Sequence, residues 1–156
     1  MSGAESNLTL PGGAVVVTVP ASSANLGPGF DSLGMALSLF AWIAMRPADE
    51  TRITLVGPNL DGVAQDKSNL VYEVAQSVFR AAGVRLPELD IVIRSDIPLT
   101  RGLGSSASAI VGALVAANAL AGDALDDGEL FRMATALENH PDNVGASLFG
   151  GIVAAA

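Results

Sequence analysis

A turn rich in glycine and serine, followed at once by a long apolar helix, is the feature that most constrains the fold of this chain. Gly102 and Gly104 let the backbone approach a ligand closely, and residues 107 to 122 are uncharged and mostly small or apolar. The first N–H groups of a helix lack intrahelical partners, so that end attracts anions. The segment predicts a phosphate-binding loop in front of a buried helix.

The same loop has a simpler interpretation, namely an ordinary turn with a serine N-cap. It is not a Walker loop, because Ser105 follows Gly104 where that motif has lysine, and the only lysine of the chain is Lys67. If a nucleotide binds here, backbone dipoles and a metal ion must balance most of its charge.

Composition limits the size of the fold and the classes of partner. The chain has 156 residues, half of them apolar, which is enough for one domain with a real core. Its net charge is −8 and its basic residues are scattered, which argues against nucleic acid as a partner. The absence of cysteine excludes disulfides and thiolate metal sites.

No segment of the sequence predicts contact with a membrane. Residues 1–13 have no basic or apolar region typical of a signal peptide, and we expect them to form a flexible lead-in. The longest uncharged apolar stretch is shorter than the ~20 residues that span a bilayer. We therefore expect a cytoplasmic protein that does not bind membranes.

Apolar periodicity predicts a single α+β unit over residues 14–156. Strands are expected at 14–19, 37–46, 51–56 and 89–94, with a new strand beginning at 152. Helices are expected from an N-cap at Ser68 to Gly83, after the glycine-rich loop, and from Asp126 to about Asn139, where Pro141 interrupts. A short further segment, capped by Asp142 or its neighbour, is expected to run to Phe149. Because the last strand has no evident partner or continuation, we expect the unit to be incomplete.

A polar loop is expected between the first two strands, over residues 20–34. Ser22, Ser23, Asn25 and Asp31 lie in it, and an amide with a carboxylate can hold the hydroxyl or ammonium group of a small substrate. The alternative is ordinary turn chemistry around residues 27–29.

A third polar segment, LENHPDN, surrounds the only histidine of the chain. His140 is flanked by Glu138, Asp142 and Asn143 at a predicted helix break. A lone histidine is more often a capping or surface residue than a catalyst. A serine hydrolase that pairs His140 with a serine of the loop is disfavoured, because the G-x-S-x-G elbow is absent from the loop.

The three segments, in this order, resemble the GHMP family of small-molecule kinases. PLTRGLGSSAS resembles the phosphate loop of that family, and VTVPASSANLGPGFDSLGMAL with ENHPDNVGASLFGG resembles its members that act on homoserine. The resemblance implies the N-terminal half of such a kinase, an α+β domain like the second domain of ribosomal protein S5 with a left-handed βαβ crossover. It also implies that the chain stops before the C-terminal domain of the family.

The resemblance also implies a set of site residues and two cofactors, ATP and Mg²⁺. Asn25 and Asp31 would bind the substrate together with His140 and Asn143, and the last two would be the catalytic residues. The magnesium ligands would be Ser106 and Glu138, with Glu129 a weaker alternative. The loop around the ATP phosphates would consist of Pro98, Leu99, Thr100, Arg101, Gly102, Leu103, Gly104, Ser105, Ser106, Ala107 and Ser108.

Two substitutions within the third motif bear on mechanism. Several relatives have an aspartate base where this chain has Asn143, and an amide cannot usefully accept a proton, so transfer would rely on positioning and charge neutralisation. Asp142 would be aimed elsewhere. Asn139 replaces the usual glycine, and we expect it to be tolerated because asparagine readily adopts left-handed backbone angles.

The activity implied is ATP-dependent phosphorylation of the side-chain hydroxyl of L-homoserine, on the route to threonine. Two alternatives stay open: a GHMP kinase for another small alcohol, and a nucleotide- or anion-binding module without catalysis. We expect this chain alone to bind homoserine weakly, to expose apolar surface and to be nearly inactive. A homodimer is a further possibility.

The first prediction concerns Asp31. Under the kinase interpretation, Asp31→Asn removes the charge that would hold the substrate ammonium group, so it should abolish phosphotransfer in the full gene product while ATP affinity stays unchanged. ADP release and calorimetric ATP binding measure the two effects separately. Unchanged homoserine-dependent ADP release in the variant would contradict the role of Asp31.

Overall fold

The computed structural model describes residues 12–24, 26–27, 32–85 and 88–154 of the chain. Its strands are β1 (Val15–Ala24), β2 (Leu33–Ala48), β3 (Arg52–Val56), β4 (Glu88–Ser95) and β5 (Ile152–Ala154). Its helices are α1 (Leu70–Ala81), α2 (Ser105–Leu120), α3 (Asp127–Glu138) and α4 (Pro141–Phe149). These elements confirm the predicted α+β class.

Strand β2 organises the sheet, whose order is β1-β2-β4-β3, because it pairs antiparallel with three other strands. Its C-terminal half lies between β1 and β4, while Leu33–Met35 at its other end pair with β5. Strand β3 runs parallel to β4, with α1 as the connection between them. The expected left hand of this crossover stays a prediction.

Alternating side chains place the core on one face of the sheet. Val19, Ile43 and Ile91 are buried in that core, whereas Val16 is exposed on the opposite face. The strand pattern of β1 was predicted from these valines, and the structure confirms it.

Helix α2 lies against the sheet and is the most buried helix described. Ten of its sixteen residues are buried, which agrees with the expectation of a helix covered on most sides. Gly112 permits this packing, because a Cβ at that position would lie 2.6 Å from Cδ1 of Ile43 and 3.1 Å from Cγ2 of Val19. Helix α4 also packs on β1 and β2, α3 covers α2 and α4, and α1 packs beside α2.

The helix ends follow ordinary capping chemistry, with two corrections. The N-cap of α4 is His140 rather than Asp142 or its neighbour, and Asp142 lies in the first turn of that helix. Asn69 rather than Ser68 caps α1: its side chain accepts a hydrogen bond from the N–H of Val71, while the Ser68 hydroxyl bonds to Asp66. Helix α3 begins with a capping box and ends at Asn139, whose φ of 66° is left-handed as expected.

The predicted polar loop over residues 20–34 is shorter than expected. A bulge after Pro20 lets β1 continue to Ala24, so Ser22 and Ser23 lie on a strand. The last strand, expected to lack a partner, pairs with β2. Most of the proposed lead-in, residues 1–11, lies outside the described residues. Within the part that is described, no helix is both long and apolar enough to cross a bilayer.

Candidate functional site

The loop before α2 has a backbone conformation suited to an anion. Thr100, Gly102 and Gly104 have φ values of 57°, 67° and 66°, while Arg101 and Leu103 between them are not left-handed. Alternation of this kind turns successive N–H groups toward one concave side, the arrangement called a nest. The loop therefore has the geometry that the sequence predicted for phosphate.

The N-terminus of α2 adds further donors to this nest. Gly104 is the N-cap residue and offers no side chain to the helix end, and the N–H of Ser108 makes the 2.9 Å bond to the Gly104 carbonyl oxygen. The three preceding N–H groups, of residues 105–107, have no intrahelical acceptor. The helix dipole reinforces their attraction for negative charge.

The serines of the loop divide into two kinds. Ser105 and Ser106 line a cavity beside the helix end. Ser108 is fully buried, and its hydroxyl lies 2.9 Å from the carbonyl oxygen of Pro20 and 2.8 Å from that of Gly104. Ser108 therefore anchors the loop to β1 rather than facing a ligand.

The cavity next to the helix end has a volume of about 240 Å³. Its walls are largely apolar and come from the middle of β2, the end of β4, the start of α1 and the start of α2. They include Ile43, Leu60, Val63, Leu70, Ile93, Leu99 and Ala109. An apolar recess beside an anion site suits a flat ring attached to phosphates.

The predicted metal ligands lie side by side. The Ser106 hydroxyl donates a 2.8 Å hydrogen bond to the Glu138 carboxylate, which brings α2 and α3 together at the solvent-exposed edge of the loop. Mg²⁺ commonly takes one or two protein oxygens and completes its shell with water and phosphate, so this pair fits the ion. No cluster of three or more His, Cys, Asp or Glu side chains that could hold a metal occurs among the residues described.

Glu129, the weaker candidate for the metal, is otherwise engaged. Its carboxylate accepts a 2.9 Å hydrogen bond from the backbone N–H of Asp126, and its own N–H donates to the Asp126 side chain. This reciprocal pair caps α3. The geometry thus favours Glu138 over Glu129.

The start of α4 carries the remaining predicted residues. His140 is its N-cap residue and Pro141 its first residue, which explains the break after α3. Asn143, in the first turn, accepts a 2.9 Å hydrogen bond from the hydroxyl of Ser22. Asn25 and Asp31, the other predicted substrate ligands, lie outside the described residues.

Asp142 differs from its neighbour Asn143 in burial and in hydrogen bonding. It is only 1% exposed, and its Oδ1 accepts a 2.8 Å hydrogen bond from the backbone N–H of Asn143. This carboxylate turns back onto the helix start. That Asp142 does not act as a base stays a prediction.

The ion pair of Lys67 and Glu88, in which each group shifts the pKa of the other, lies away from this site. A hydrogen bond from Lys67 is the main reason that the pKa of Glu88 is lowered, and the same bond raises the pKa of Lys67. Glu88 begins β4, whereas Ser95, at the far end of that strand, lines the cavity.

Sequence reasoning missed two residues that hold the site together. Ser147 of α4 lies 3.3 Å from the Ser22 hydroxyl, and Gly34 of β2 lies directly beneath the first turn of α4. A Cβ at Gly34 would lie 2.7 Å from the carbonyl carbon of Asp142. A serine four residues after Asn143, on the same helix face, is the signal that could have revealed Ser147.

Comparisons of the chain with known proteins all indicate the same family. The family model for the GHMP kinases N terminal domain matches residues 69–151. A homoserine kinase of Carboxydothermus hydrogenoformans is 49% identical over 140 residues, which cover 89% of this chain and 46% of that protein. One of Bacillus licheniformis is 50% identical over 137 residues, covering 88% and 45%.

Solved structures show the same fold. A homoserine kinase from Cytophaga hutchinsonii superposes with a TM-score of 0.80 at 30% identity, covering 90% of this chain and 48% of that one. The Methanococcus jannaschii mevalonate kinase superposes at 0.69 and 20% identity, covering 90% and 53%, which shows a shared fold alone.

The fold and the site thus define the class of the protein: it is an α+β domain in which a nest-like loop precedes a buried helix. With the match over residues 69–151, the chain belongs to the GHMP kinase family, represented by its N-terminal domain. The chain spans about half the length of the curated relatives it matches.

The second prediction tests the close approach at Gly34. In Gly34→Ala the added methyl group meets backbone rather than a movable side chain, so we expect a loss of ~1–3 kcal/mol in the free energy of unfolding and displacement of α4. Denaturant titration measures the change. Gly12→Ala is the control, because nothing lies within 4 Å of its Cβ and its φ is not left-handed. Equal stability of the two variants would contradict the tight contact.

Proposed function

We propose that this chain forms the ATP-binding half of an enzyme that transfers the γ-phosphate of ATP to the side-chain hydroxyl of L-homoserine. The product is O-phospho-L-homoserine, an intermediate of threonine biosynthesis. The observation that carries the proposal is the hydrogen bond between Ser22 and Asn143. It joins Asn143 of α4 to Ser22, whose backbone N–H donates to the carbonyl oxygen of Leu103 in the loop, and this supports an acceptor site next to the phosphates. The relatives named homoserine kinase support the choice of substrate.

The nucleotide is assigned to the loop and the adjoining cavity. Backbone N–H groups of residues 100–107 receive the phosphates, and the apolar recess receives the adenine ring. Gly102 and Gly104 provide backbone angles that residues with a Cβ rarely adopt. Since the loop has no lysine, its dipoles do much of the charge neutralisation.

The acceptor is assigned to the start of α4, together with Asn25 and Asp31, which the sequence predicts as its ligands. Asn143 and His140 stand at the N-terminal end of α4, where the helix dipole favours the negative charge that develops during phosphoryl transfer. An amide can hold the reacting hydroxyl by hydrogen bonding, yet it cannot serve as a base. We therefore assign Asn143 a positioning and charge-stabilising part, with Asn25 and Asp31 binding the amino acid.

Mg²⁺ would be held by the Ser106 and Glu138 oxygens together with the ATP phosphates. When bound, the ion neutralises phosphate charge and orients the phosphoryl group. Glu138 on α3 also fixes the Ser106 hydroxyl at the mouth of the loop. We place the protein in the cytoplasm, where ATP and amino-acid intermediates are available.

A non-catalytic nucleotide-binding role is the second candidate, and the amide at Asn143 favours it, because an amide cannot serve as a base. The two candidates agree on the loop and differ only in turnover.

The third prediction is the test of this function. Mg-ATP-dependent ADP release should occur with L-homoserine and stay at background with serine, mevalonate and galactose when the full gene product is assayed. The 156-residue chain is measured in parallel, and we expect it to bind ATP with little turnover. Release with mevalonate or galactose instead would indicate a kinase for another alcohol, and ATP binding without release from either protein would indicate the binding module.

The fourth prediction concerns Glu138. In Glu138→Gln the loss of one charged ligand, worth ~1.5–3 kcal/mol, should raise the Mg²⁺ concentration for half-maximal activity by roughly 10- to 100-fold. Activity is titrated with Mg²⁺ at fixed ATP. Glu129→Gln is the matched control, because glutamine also completes a capping box, and its Mg²⁺ dependence should equal that of the wild type. A shift in both variants, or in neither, would contradict the assignment.

A further inference from the structure

Three segments of the chain meet at Ser22, which is fully buried. Its backbone N–H donates a 3.1 Å hydrogen bond to the carbonyl oxygen of Leu103, in the phosphate loop. Its hydroxyl donates to Oδ1 of Asn143, on α4, and accepts from the hydroxyl of Ser147 at 3.3 Å. Ser22 thus bonds to the loop and to α4 at the same time.

The direction of these hydrogen bonds fixes the amide of Asn143. An amide oxygen can only accept a hydrogen bond, so the single hydrogen of the Ser22 hydroxyl is directed at Oδ1 of Asn143. The carbonyl oxygen of the amide therefore faces Ser22. Because a carboxamide is planar, its NH₂ group is turned away from Ser22 to the other side of the side chain.

An amide held in this way presents a donor rather than an acceptor. An NH₂ group can donate to a lone pair of the acceptor hydroxyl or to a phosphoryl oxygen, whereas the carbonyl oxygen of a flipped amide would repel a phosphoryl oxygen and could only accept the hydrogen of the hydroxyl. We propose that Ser22 is a positioning residue that holds Asn143 in the donor orientation. This inference rests on the proposed function.

Ser22 contacts both the phosphate loop and Asn143, so it fixes the positions of the two relative to each other. The Ser22 hydroxyl oxygen occupies the space that a Cβ on Gly104 would need, so Gly104 is constrained by its neighbour as well as by its left-handed φ. The backbone bond to Leu103 does not involve the side chain. A side-chain substitution at Ser22 should therefore affect Asn143 while leaving the backbone bond to the loop intact.

The fifth prediction uses a double-mutant cycle in the full gene product. Ser22→Ala should lower kcat roughly tenfold and change KM for ATP less than about twofold. In Ser22→Ala with Asn143→Ala, kcat should equal that of Asn143→Ala alone, because Ser22 acts only through Asn143. Ser22→Cys, of similar size with a weak donor, should give an intermediate kcat and guards against misfolding of the alanine variant.

Ser108→Ala is the matched control for loss of a buried hydroxyl. Ser108 is also fully buried, yet its hydroxyl bonds only to the carbonyls of Pro20 and Gly104. Its effect on kcat should multiply with that of Asn143→Ala. The proposal would be overturned if the effects of Ser22→Ala and Asn143→Ala on kcat also multiplied in the double variant. An unchanged kcat in Ser22→Ala would overturn it too.

A readout independent of turnover separates this inference from the proposed function. With ¹⁵N-labelled asparagine, the side-chain NH₂ signals of Asn143 are assigned by their loss in Asn143→Ala. Ser22→Ala should shift them toward free-amide positions, whereas Ser108→Ala should not. If wild-type protein shows no transfer to homoserine, the proposed function fails, and unmoved signals in Ser22→Ala would reject the positioning role separately.

Discussion

The backbone pairing of β2 is the constraint on which the rest of the structure depends. This one strand is hydrogen-bonded to β1, β4 and β5, so its register decides which side chains of all three face the helices. A slip of one residue would turn Ile43 and Met45, which are fully buried, to the opposite face of the sheet. The core and the polar site are therefore fixed by the same ladder.

The polar site is built where that ladder is interrupted. At the bulge after Pro20, the Pro20 carbonyl oxygen accepts hydroxyl groups from α2 and α4, through Ser108 at 2.9 Å and Ser147 at 3.4 Å. Proline has no N–H, so only its acceptor needs partners here. Buried serines thus dock both helices onto one strand without leaving these polar groups unpaired.

Features that depend on residues close together in the sequence could be predicted from it. The glycine-rich loop, the buried helix after it, and the break between Asn139 and Pro141 all follow from local patterns, and the structure agrees with them. The extension of β1 could not be predicted, because it depends on a bulge and on pairing with β2. The Ser22–Asn143 bond joins residues 121 positions apart, a separation that no local pattern reports.

That separation has a consequence for how the chain is made. On the ribosome, β1 and β2 emerge first, and a two-stranded hairpin is at best marginally stable in water. Ser22 has no partner on α4 until the segment around Asn143 has left the exit tunnel, and closing so long a loop is slow. The contact between β1 and α4 should therefore form late during translation, and a nascent chain that stalls before α4 emerges would carry the glycine-rich loop without the start of α4 beside it.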